Sequence, residues 1–189
     1  MRAASHGIDR RVDRSPAGHD AVLSEIVSRE LADGAAARER DQRLAREQED
    51  AQRIQRALVP STMPDIAGLR LGACWQPAHG IGGDCYDVLG FDRARAGIAI
   101  ADVVGKGLPA ALLMSNLQSA VRAFATGGAA PRHVLTSVNR LLARNILPGK
   151  FVTGCYLSID THAGTITYAN AGHNPPLVLR ADGRVERLS

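Results

Sequence analysis

Two aspartates, Asp84 and Asp102, stand near opposite edges of the stretch "GGDCYDVLGFDRARAGIAIADVVGKG", each close to glycines. Aspartate and glycine are poor strand formers. The residues between them nonetheless read as two short strands joined by the polar turn Asp92-Arg93-Ala94-Arg95. Folded as a hairpin centred between Arg93 and Ala94, the stretch sets Asp84 opposite Val103 and Cys85 opposite Asp102, so both acids reach the same open end. Two carboxylates that close repel, and one takes up a proton unless a cation sits between them. Carboxylate and carbonyl oxygens suit hard ions such as Mg²⁺ or Mn²⁺. Gly82, Gly83, Gly105 and Gly107 leave room for backbone carbonyls and waters around such an ion. A lone aspartate at a strand end is ordinarily a turn or cap residue; two at one glycine-lined edge favour metal ligation.

Other polar residues carry weaker signals. Asp87 falls on the strand face opposite Asp84, as an outer support or a solvated acid, and Asp92 is most simply the turn residue. Gly105-Lys106-Gly107 is not a phosphate loop, since that motif needs glycine where Ile100 stands and Ser or Thr where Gly107 stands. Lys106 is then a phosphate contact or, preferably, a residue shaping the helix entrance. His173, in "NAGHNPP", is expected just past the end of a second hairpin, near Val152. There it can carry a proton or donate a loop hydrogen bond; with no nucleophile beside it, the loop role is favoured. No Ser-His-Asp or Cys-His arrangement follows from the spacings.

The elements that must position these residues can be read from periodicity. A helical pattern begins at about Asp20, with Val22, Leu23, Ile26, Val27 and Leu31 on one face, and Asp33-Gly34 predicts a break. A second helix should run to about Leu58. Its Leu44, Ala51 and Leu58 are seven apart, with Ile54 between the last two. That narrow seam suits docking on a partner helix, including a second copy; a solvated helix lying on its own domain is an equal reading. "LRLGACWQ", "DCYDVLGF" and "AGIAIADV" then read as strands. A helix from Pro109 carries Leu113, Leu117, Val121 and Phe124, and another from Pro131 carries Val134, Leu135, Val138, Leu141 and Leu142. "FVTGCYLSID" with "GTITYANA" forms a second hairpin, and "PLVLRADGRVERLS" begins a third. Strands, two helices, then strands describe an α+β or layered sandwich without βαβ alternation. The expected division is a disordered tail over 1–16, a helical linker over 17–60 and a compact domain over 61–189.

Composition removes several classes. The net charge of +4 is carried almost wholly by arginine, Lys106 and Lys150 being the only lysines. The arginines alternate with acids along a helix and aromatics are only 4%, so nothing supports a nucleic-acid surface. Three scattered cysteines, Cys74, Cys85 and Cys155, suit neither a disulfide framework nor a cysteine zinc site, and fit a reducing cytoplasm. No apolar run is long enough to span a membrane, and the basic start lacks the apolar core of a secretory signal.

In this order, "IQRALVPSTMP", "IGGDCYDV", "IADVVGKGLPAALLM", "FVTGCYLSID" and "YANAGHNPPLVL" resemble the bacterial sporulation stage II protein E type of serine/threonine phosphatase, of the metal-dependent superfamily that includes protein phosphatase 2C. The resemblance covers roughly residues 52–189. It implies an α-β-β-α sandwich with a two-metal Mn²⁺ or Mg²⁺ centre, in which Asp84 and Asp102 are ligands, Asp102 bridges both ions and the Val103 carbonyl adds a ligand. It further implies attack of a metal-activated water on phosphoserine or phosphothreonine. The implied substrate is a phosphorylated anti-sigma-factor antagonist, and the helical linker is implied to relay a signal from an upstream sensor or activator. Relatives carry further acidic ligands beyond the equivalent of Ser189, so the domain is read as C-terminally incomplete; Asp182-Gly183 reads as a hairpin turn instead. An alternative follows, namely a regulatory binding protein of the same fold with impaired catalysis.

Overall fold

The computed structural model describes residues 16–77 and 80–188. The expected tail lies outside them up to residue 15. Two compact units divide at Gln48/Glu49. A single helix, α1 (Pro16–Leu58), replaces the two helices expected on either side of Asp33-Gly34. One interior glycine costs a helix only about 1 kcal/mol, and here "AAAR" follows at once with strong helix formers. In the first unit Val22, Leu23, Ile26, Val27 and Leu31 are all exposed.

The second unit is built on a four-stranded antiparallel sheet in the order β1 (Cys85–Gly90), β2 (Arg95–Val103), β3 (Val152–Asp160) and β4 (Thr165–Ala171). Between β2 and β3 run α2 (Gly107–Phe124) and α3 (Pro131–Leu142), both packed on one face of the sheet. Side chains alternate across a strand, so Ala99, Ala101 and Val103 of β2 enter the core while Ile98, Ile100 and Asp102 point the other way. Against the core residues α2 lays Ala110, Met114, Leu117 and Val121, and α3 lays Val134, Val138 and Leu142, the spacing of one helical face. Met114, Val134 and Tyr156 are fully buried. A separate hairpin pairs β5 (Leu177–Leu179) with β6 (Val185–Arg187). It turns through Asp182-Gly183, where Gly183 has φ 84° and Asp182 accepts the Arg184 N–H.

Two local expectations need correction. "LRLGACWQ" forms no strand; only Ile66 and Leu69 make an isolated bridge. Its alternating apolar residues have no ladder partner, and the segment lies instead as extended coil lining the open face of the sheet. The β1–β2 register is also one residue from the expected one: Cys85 pairs with Ala101. The Asp92 carboxylate accepts the N–H groups of both Ala94 and Arg95 at 2.8 Å, which centres the turn on Arg93. Among the described residues no helix is long and apolar enough to cross a membrane.

Candidate metal centre

Cys85 pairs with Ala101, so Asp84, one residue before β1, follows on toward Asp102, the next-to-last residue of β2. Both side chains lie on the open face of the sheet, near enough for the Asp102 carboxyl to act on that of Asp84. Partial burial, then the neighbouring Asp102 carboxyl, push the Asp84 carboxyl above its ordinary value, while His173 pulls it down. Two neighbouring carboxylates are relieved of their mutual repulsion when a dication sits between them. Gly83 sits so close to β2 that a Cβ would strike the Val103 carbonyl oxygen and side chain. That carbonyl therefore abuts Gly83, the residue before Asp84.

The third strand supplies the rest of the edge. Thr153 pairs with Asp102 across the β2–β3 ladder, and its Oγ1 lies 2.9 Å from the Nδ1 of His173. The His173 backbone is in turn gripped by Asn170, whose Oδ1 accepts the His173 N–H at 2.8 Å and whose Nδ2 donates to the His173 carbonyl at 2.9 Å. His173 is thus both a loop residue, as expected, and a fixed neighbour of Asp84. Lys106 is exposed at the start of α2 and makes no side-chain cap. Trp75 donates its indole N–H to the Asp84 carbonyl at 2.9 Å, bracing the chain at Asp84. Trp75, Asp84 and His173, with Met63, Tyr86, Ile98 and Ile100, line a groove over the open sheet face.

Asp87 falls on the opposite face, as its parity requires, but it is neither solvated nor close to the groove. It is 2% exposed and takes a two-pronged ion pair from Arg122 of α2, at 2.6 and 3.1 Å. Arg122 also donates to the Leu58 carbonyl at 3.2 Å, and Gln118 reaches the same oxygen at 2.8 Å, tying the end of α1 to α2. Sequence reading missed Thr153, Asn170 and this anchor. The β2–β3 pairing that places Thr153 and the α1–α2 contact are both nonlocal, and no local motif encodes them.

Among the described residues no group of three or more His, Cys, Asp or Glu side chains is gathered for a metal. Two carboxylates and one carbonyl fit a single hard dication that keeps several waters or takes phosphate oxygens, which is how Mg²⁺ is usually held. The described side chains do not by themselves complete a second site.

The family model for stage II sporulation protein E (SpoIIE) matches residues 92–189. The chain belongs to the SpoIIE family. Asp102, Val103, Lys106 and His173 lie inside the matched SpoIIE range, whereas Asp84 precedes it. Phosphoserine phosphatase RsbU of Bacillus subtilis is 37% identical over 134 residues, 71% of this chain and 40% of the relative. Among solved structures, the RsbU and RsbW domains of a Mycobacterium tuberculosis protein share 33% identity with a TM-score of 0.50, over 66% of this chain and 32% of theirs. The SiaA-PP2C domain of Pseudomonas aeruginosa superimposes with a TM-score of 0.64 at 20% identity, over 79% of this chain and 60% of that one. The fold of this SpoIIE-family chain is accordingly that of the PP2C-type phosphatases, with part of the domain represented. The chain spans less than half the length of RsbU.

Proposed function

We propose that this chain carries the metal-binding edge of a protein phosphatase that hydrolyses phosphoserine or phosphothreonine on a regulatory protein. One observation carries the reading: the β1–β2 pairing brings Asp84, just before β1, and Asp102, on β2, together at one edge of the open sheet face. In the proposal they hold Mn²⁺ or Mg²⁺ together with the Val103 carbonyl, and Asp102 would bridge if a second ion joins through ligands additional to these three. When bound, such an ion supplies Lewis-acid polarisation of the phosphoryl group and a water acidified toward neutrality. The chain's own residues do the positioning. Asp84 and Asp102 fix the charge at the strand ends, the Thr153 contact orients the His173 ring, and Ile98, Ile100 and Tyr86 give the groove an apolar floor for the substrate segment. His173, and Lys106 at the start of α2, are the groups proposed to meet the phosphate.

The kinship with RsbU supports a phosphorylated anti-sigma-factor antagonist as substrate in a cytoplasmic partner-switching pathway. Residues 17–60 would serve as the linker to an upstream sensor or activator, 61–189 as the phosphatase portion, and the 44–58 seam as a homodimer contact. A second reading has its own support: with no third acid gathered among the described residues, the chain would keep the phosphoprotein-binding surface without turnover. Mn²⁺-dependent hydrolysis of a phosphoserine peptide, compared between the chain and Asp102→Asn, tests both. Hydrolysis above background that Asp102→Asn abolishes supports the enzyme; background rates for both support the binding protein.

A further inference from the structure

The loop that delivers Asp84 is held by a side chain from outside the sheet. Gln55, in the last turn of α1, is 3% exposed and faces Gly82 with its whole carboxamide. Its Nε2 donates to the Gly82 carbonyl at 2.6 Å and its Oε1 accepts the Gly82 N–H at 3.0 Å. Both backbone groups of Gly82 are paired with one side chain, as a neighbouring strand would pair them. One turn earlier Gln52 lies against Gly80, where an added Cβ would run into its carboxamide. On the other side Gly83 abuts the Val103 carbonyl. Residues 80–83 are therefore clamped between the end of α1 and the end of β2, and Asp84 follows directly. Packing alone does not call for glutamine at this buried position. An apolar residue of the same size would bury without needing partners, whereas a buried amide is costly unless both its ends are bonded.

We propose that Gln55 is a positioning residue for the metal centre: its carboxamide fixes Gly82 so that Asp84 meets Asp102, and divalent-metal affinity depends on it. The proposal rests on the reading of Asp84 as a metal ligand. A loop released from the clamp has to be ordered when the ion binds, and that ordering weakens affinity. Gln55→Met keeps the volume and removes both hydrogen bonds. Gln118→Met is the matched comparison, since Gln118 is equally buried and bonds Leu58 at the end of the same helix without touching the loop.

The experiment is a Mn²⁺ titration of the full chain and each variant, read from the free-ion electron paramagnetic resonance signal, with thermal unfolding recorded in the absence of metal. Gln55→Met should bind Mn²⁺ at least tenfold more weakly, and Gln118→Met within twofold of the unaltered chain. Unchanged affinity in Gln55→Met, or an equal loss in both variants, overturns the clamp. If the unaltered chain itself binds no Mn²⁺, the metal reading fails and the clamp with it, a result distinct from binding that survives in Gln55→Met. Should Gln55→Met not fold, Gln55→Glu decides by the same thresholds, because it keeps the acceptor for the Gly82 N–H and loses the donor to its carbonyl.

Discussion

Asp84 and Asp102 oppose each other in the metal-free chain, and this gives them a testable signature. Asp84 titrates above its ordinary value of 3.8, chiefly through burial and then through Asp102. A carboxylate raised in the folded state contributes stability that is fully present below the ordinary value and is lost as pH rises through the raised one. Two carboxylates this close repel once both are ionised. Asp102→Asn should therefore stabilise the metal-free chain by about 1 kcal/mol or less, as expected for two charges near a wet surface. In Mn²⁺ the order should reverse, because a ligand at a hundredfold excess over its dissociation constant adds about 2.7 kcal/mol to the binding form alone. Thermal unfolding of both proteins from pH 4 to 7, with and without Mn²⁺, checks the crossing. At the same scale, Asp87 is buried while its partner Arg122 is about half exposed. Arg122→Met should cost about 3 kcal/mol by leaving that charge unpaired, and Asp87→Leu combined with Arg122→Met should cost less. Urea unfolding of the two variants distinguishes them.

At the scale of elements, Gly83 is the tightest point of the site. In Gly83→Ala the methyl group would press on the Val103 carbonyl, so β1 and β2 should part at the acid pair. Mn²⁺ affinity should fall about tenfold, the equivalent of 1.4 kcal/mol, with the helical signal of α2 and α3 unchanged; isothermal titration and circular dichroism read the two effects. The strands bearing the acids were legible because "AGIAIADV" alternates small core-facing residues with larger outward ones. Their register was not, because the Asp92 carboxylate, and not the middle of the polar stretch, decides where the turn closes. The alternation in "LRLGACWQ" misled for a related reason, since a strand also needs a partner and pairing is nonlocal. Gly34 misled in the other direction: its local cost is small beside the propensity of the alanines and arginines that follow. Asp84 and Asp102 could be singled out as neighbours from the hairpin pattern, whereas the contacts of Gln55 and Thr153 could not, being fixed only by which element lies opposite.

For the whole molecule, α1 continues past the end of the first unit, with Leu44 and Ile54 exposed along the proposed seam. If the seam joins two copies, the full chain should be dimeric in light scattering, and a chain beginning at Gln52 should be monomeric while keeping Gln55 and the metal edge. Equal masses would remove the dimer and leave the site untouched. The account as a whole stands on an ion held between the ends of β1 and β2. Anomalous diffraction at the manganese edge, from crystals soaked in Mn²⁺, measures this directly. A peak within coordinating distance of both carboxylates, and its absence in Asp102→Asn, is the predicted result. Both carboxylates in place with no peak beside them would contradict it.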